Sequence, residues 1–113
     1  MIDLHPALYQ MLKEFGRVEL EFPDTKASFP VITLCEISNI PELVVDGVEL
    51  RSAVTYQVDV WDNGKNPERV EDLANAISHK LTENYFFRVM GRGLKDPSGL
   101  WRKTMYFRTL IGK

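Results

Sequence analysis

The chain has 113 residues, of which 44% are hydrophobic and 27% charged, and 16 acids against 14 bases leave a net charge of −2. Such a length holds one well-buried core but not two, and the balance excludes wholesale disorder. The slight acidic excess argues against a general nucleic-acid binder, which needs a basic surplus to attract phosphates.

Residues 3–16 predict a helix, with Leu4, Leu8, Met11, Leu12 and Phe15 on one side and Gln10, Lys13 and Glu14 on the other. Asp3 suits its cap, Pro6 is tolerated in the first turn, and Gly16 is placed to stop it. The acid at Asp3 and the break at Pro6 precede any apolar stretch, so no secretory signal is expected. No run is long or apolar enough to span a bilayer, and synthesis in the cytosol is the expectation. Next, Val18, Leu20 and Phe22 alternate with Glu19 and Glu21, which predicts a short strand ending at Pro23-Asp24.

Phe29-Pro30 leads into Val31-Ile32-Thr33-Leu34-Cys35-Glu36-Ile37, an apolar run of strand length closed by Ser38-Asn39-Ile40-Pro41. Asp46-Gly47 is a turn dipeptide between Leu43-Val44-Val45 and Val48-Glu49-Leu50. Two readings fit residues 42–51: a tight hairpin, or a protruding loop between strands ending near Ile37 and beginning near Ser52. A long or mobile hairpin is the expected form, because Pro41, Glu42, Asp46 and Glu49 suit an exposed tip.

The clearest pattern follows. Val54, Tyr56, Val58 and Val60 alternate with Thr55, Gln57, Asp59 and Trp61, which predicts a strand with one buried face. Asp62-Asn63-Gly64 breaks it, Asn66 is placed as an N-cap, and Pro67 fits the first helical position. Val70, Leu73, Ala74, Ile77 and Leu81 then make one apolar stripe along a helix over 67–83. Asn84 ends it, and Tyr85-Phe86-Phe87-Arg88-Val89-Met90 predicts a strand. Gly91-Arg92-Gly93 and Asp96-Pro97-Ser98-Gly99 bracket a flexible connection. In the last stretch Trp101, Met105, Phe107 and Ile111 share one face, and Arg102, Thr104, Tyr106 and Arg108 the other, giving a second antiparallel hairpin. The expected fold class is α+β, a mainly antiparallel β-sheet with two α-helices packed on one face, over residues 1–113 as a single domain.

Catalytic and metal-binding patterns do not assemble. His5 and His79 are the only histidines, and neither has a ligand partner at i+3 or i+4. Cys35, the lone cysteine, rules out an internal disulfide, suits a reducing compartment, and reads as a small hydrophobe within its strand. Asp59/Asp62 and Glu71/Asp72 read as strand surface, turn and helix exterior, and Asp59 gains interest only if its face is buried. Gly91-x-Gly93 lacks the third glycine and the strand-to-helix setting of a phosphate loop. No enzyme activity, cofactor, metal or nucleic-acid specificity is expected.

Charge is distributed unevenly. Arg88, Arg92, Lys95, Arg102, Lys103 and Arg108 weight the C-terminal third, and Glu19, Glu21, Asp24, Glu36, Glu42, Asp46 and Glu49 weight the first half. The plain reading is a solvated strand face. The functional one is a polar interface, acidic on one side and basic on the other, as in a ring whose copies meet head to tail. Its candidate residues are Glu42, Asp46, Glu49, Arg88, Arg92, Arg102 and Arg108, with Trp61 and Tyr106 as aromatic contacts on the more polar strand faces.

Three stretches together resemble a known family. They are Phe29-Pro30-Val31-Ile32-Thr33 with Glu36-Ile37-Ser38-Asn39, then Tyr56-Gln57-Val58-Asp59-Val60-Trp61, then Asp96-Pro97-Ser98-Gly99-Leu100-Trp101-Arg102-Lys103 running into Tyr106-Phe107-Arg108. In that order, with the helix between the second and third and the aromatic turn at Tyr85-Phe86-Phe87-Arg88, they resemble the tail terminator (tail completion, head–tail joining) proteins of long-tailed bacteriophages. The resemblance implies a structural virion protein of a phage or prophage, assembled in the host cytoplasm as a hexameric ring at the head-proximal end of the tail. Its implied partners are further copies of itself, the tail tube protein and a head completion or connector protein. Residues 40–50 and 17–28 depart from the pattern. The competing readings are a head-completion or connector-stopper protein and, from another class, a small non-viral ligand-binding or regulatory α+β domain.

Overall fold

The computed structural model describes residues 3–20 and 28–112. Its elements run α1 (His5–Leu12), β1 (Arg17–Glu19), β2 (Val31–Val45), β3 (Val48–Asp62), α2 (Glu68–Glu83), β4 (Phe87–Lys95) and β5 (Trp101–Gly112). The five strands form one sheet in the order β1-β2-β3-β5-β4. Every neighbouring pair is antiparallel except β1 and β2, which run parallel. The α+β class is as expected, with a mixed and mostly antiparallel sheet.

The alternation in β3 sets the layers. Val54, Tyr56, Val58 and Val60 are buried in one core with Ile32, Leu34, Met105 and Phe107 from the flanking strands. Val70, Ala74, Ile77 and Leu81 of α2 and Leu4, Leu8 and Leu12 at α1 complete that core, and Leu73 packs half-buried at its margin. Full burial of a Val, Leu or Ile side chain contributes about 1.5–3 kcal/mol each, so the stripe on α2 fixes the helix to the sheet. A smaller cluster of Val31, Trp61 and Leu100, with Phe29 packed against it, lies at the end of the sheet where β3 runs into α2. Among the described residues no helix is long and apolar enough to cross a membrane.

The helix termini differ from the sequence expectation in detail. The first helix spans His5–Leu12 and passes into a turn before Gly16, while Asp3 Oδ1 accepts the His5 N–H at 3.0 Å. In α2 the cap position is Pro67, one residue later than expected. Asn66 still does a cap's work, since its Oδ1 accepts the Glu68 N–H at 3.1 Å. The expected strand over 18–22 is seen as Arg17–Glu19; Glu21, Phe22, Pro23 and Asp24 lie outside the described residues.

Residues 42–51 are a hairpin and not a loop: β2 and β3 stay paired to the two-residue turn Asp46-Gly47. Both turn residues have positive φ, 51° and 77°, as a tight hairpin turn of this hand requires. Pro41 is accommodated because the ladder shifts register between Pro41 and Leu43, where a missing N–H costs little. β5 pairs with β3 only as far as Arg51↔Gly112, so residues 41–50 run on beyond it as an arm. The long dimension of the molecule is 55 Å, against 24 and 22 Å across.

The second hairpin also forms, but its connection is shorter than expected. Gly91 and Gly93 lie inside β4, and the turn is confined to residues 96–99. Gly93 has a packing reason: a Cβ there would sit 3.1 Å from Glu71 Oε1, in the space the Glu71–Lys103 ion pair occupies.

Candidate assembly surfaces

On the face of the sheet away from the helices, β3 contributes Gln57, Asp59 and Trp61. Cross-strand register sets Thr33 beside Asp59 on β2, and Thr104 and Arg102 beside Asp59 and Trp61 on β5. Asp59 is only 5% exposed, so its carboxylate must find donors within the protein. It has three: Gln57 Nε2 at 2.8 Å and, on its other oxygen, Arg102 Nε at 3.2 Å and Thr104 Oγ1 at 2.5 Å. The Arg102 guanidinium also lies 4.6 Å from the centre of the Trp61 ring and 3.8 Å from Asp96 Oδ1. Trp61 donates its indole N–H to Thr33 Oγ1 at 2.9 Å. This network ties β2, β3 and β5 together, and every donor to Asp59 is already engaged.

The second feature is the arm. Ile40, Leu43, Val44, Val45, Val48 and Leu50 are all exposed, Val48 by 57%. Its charges are Glu42, which faces Arg51 at 3.8 Å, the tip residue Asp46, and Glu49, which accepts from the Ser52 hydroxyl. The third feature lies on the β4 edge of the sheet, near the base of the arm, where Leu110 pairs with Ala53. Tyr85, Phe87, Val89, Arg108, Thr109 and Leu110 line a groove of about 380 Å³. Tyr85 is 74% exposed, and it turns the chain into β4 with φ 67°. Phe87, Val89, Met90 and Leu110 are exposed around it.

No protein-family model matches this chain, and no curated protein does.

The interface candidates therefore rest on where the fold sets them. Glu42, Asp46 and Glu49 lie together on the arm, and Arg88, Arg92 and Arg108 are exposed on or beside β4. None of those three arginines makes an ion pair among the described residues. Tyr106 is half-buried on the helix-free face, across from Gln57. Two candidates need correction. Trp61 is on the helix-free face but only 1% exposed, so it supports that face from within. Arg102 is committed to Asp59 and Asp96 and is not a free surface cation.

Cys35 departs from its expected role as a buried hydrophobe: it is exposed, because it pairs with Gln57 on the helix-free face. His79 is exposed and meets Glu83 at 3.0 Å, one helical turn on. Among the described residues no three metal-ligating side chains converge. The apolar surface of the arm and of the β4 groove was the feature missed from sequence. A signal was present, since Leu43-Val44-Val45 and Val48-Glu49-Leu50 form a strand pair with little polar alternation, and among the described residues no third element covers it.

Proposed function

We propose that this chain is a structural ring subunit of a long-tailed phage, seated at the head-proximal end of the tail tube, where it ends tube growth and joins the tail to the head. The observation that carries the reading is the division of its exposed apolar surface between two unlike places, the arm and the β4 groove. Contiguous exposed apolar surface marks interaction sites, and two non-identical patches suit the heterologous contacts that close a ring. The sequence resemblance to tail terminators supplies the kind of ring. The partners in this reading are further copies of the chain in a hexamer, the tail tube protein, and a head completion or connector protein, with assembly in the host cytoplasm. The buried carboxylate Asp59 favours a structural over a catalytic reading, because three protein donors, one of them a guanidinium, already hold it.

The test is removal of the protein from its phage, with electron microscopy of the products. Overlong tubes without heads, corrected by supplying the chain, are the expected result. Tails of normal length joined to heads in its absence would overturn the proposal, and normal-length free tails beside unjoined heads would move it to the head-side stopper.

A further inference from the structure

From the geometry we infer that the arm of one copy docks in the β4 groove of the next, tip and apolar flank first. The inference rests on the ring reading in needing a second copy of this chain as the occupant. It is carried by the match between the two surfaces. The arm is apolar at Leu43, Val44, Val45 and Val48 and acidic at Glu42 and Asp46. The groove is apolar at Phe87, Val89 and Leu110, Arg108 lines it, and Arg92 lies further along β4 on the same face of the sheet. Apolar surface beside opposite charge is an arrangement that excludes water at the middle and sets orientation at the edge.

The arm cannot occupy its own groove. β3 is paired with the strand that carries Leu110 and then runs past the end of that pairing at Arg51↔Gly112. The arm thus leads away from the groove by about 15 Å, at about 3.3 Å per residue. Any arm in the groove therefore belongs to another molecule, and each copy that receives an arm still has its own to offer. Such a contact is heterologous and propagates until it closes.

The test uses the purified chain alone, in sedimentation velocity at low salt over a rising concentration series. Wild type is expected to move from monomer to larger species, and added salt is expected to weaken the shift. An arm variant, Val44→Asp with Val48→Asp, and a groove variant, Val89→Asp with Leu110→Asp, should each stay monomeric with unchanged circular dichroism. Mixed in equal amounts they should form a dimer and nothing larger, since one good arm meets one good groove. Should either variant unfold, Asp46→Lys and Arg92→Glu with Arg108→Glu replace them. A wild type that stays monomeric, a mixture that stays monomeric, or an arm variant that still self-associates would overturn the docking. None of these results touches the tail phenotype, so the ring at the tail end and its arm contact fail separately.

Discussion

The hydroxyl of Tyr56, at the centre of the sheet, donates to Glu36 Oε2 at 3.3 Å. Burial, and then the charge and hydrogen bond of Glu36, push the tyrosine up from 10.0 to about 12. In the folded chain Tyr56 keeps its proton at a pH where the unfolded chain has lost it. The sign follows: this stabilisation is complete below pH 10 and is lost as pH rises from there through about 12. Thermal melts between pH 9 and 12 should therefore show a falling Tm, and Tyr56→Phe should flatten the fall. An equally steep fall in the variant would place the alkaline sensitivity elsewhere.

Asp59→Ala is expected to destabilise the fold by ~3 kcal/mol, because it strips Arg102 of its buried partner and leaves Gln57 and Thr104 without an acceptor. Asp59→Asn, which keeps the shape, should cost less. Urea denaturation midpoints at constant slope measure both. Charge reversal at Arg102 would break the same network, so it reports on stability and is unsuited to probing assembly.

Ile77→Ala should cost ~2–5 kcal/mol, as a fully buried large-to-small change. Leu73→Ala, at the half-buried margin of the stripe, should cost clearly less. Equal losses at the two sites would mean that α2 sits on the sheet at a different rotation.

Shortening the arm, by joining the paired residues Pro41 and Ser52 through an Asn-Gly turn, should change folding stability by less than about 1 kcal/mol, since the removed side chains are mostly exposed. The same change should abolish head-joined tails in a complementation assay. A shortened chain that still completes tails would remove the arm from the proposed function.

The layers were legible in sequence because their signals are local. The alternation through Val54–Val60 and the spacing of Val70, Ala74, Ile77 and Leu81 each need only one element to be recognised. What was not legible depends on partners distant in the chain. Pro41 looked like the end of a strand, and only the register shift beside it lets β2 continue. Gly93 looked like a flexible joint, although its missing side chain makes room for Glu71, which lies on a helix before it in sequence. Trp61 and Arg102 looked like surface residues because each was judged against its own strand. Their burial comes from each other and from Thr33 and Asp59 across the sheet.

The polar cluster around Asp59 also determines how far the arm extends. Leu43, Val44, Val45 and Val48 are apolar on both faces, so within the arm the Asp46-Gly47 turn is what marks the strand alignment. Sliding β3 by one position would turn Asp59 towards Val70 and Ile77, an ionised group in an oily layer with no donor to meet it. Alignment is therefore also decided about 40 Å from the turn, at about 3.3 Å per residue, where Thr33, Asp59 and Thr104 sit abreast. Like the wards of a lock, those three side chains admit one setting of the hairpin, the same one that the Asp46-Gly47 turn imposes from the other end.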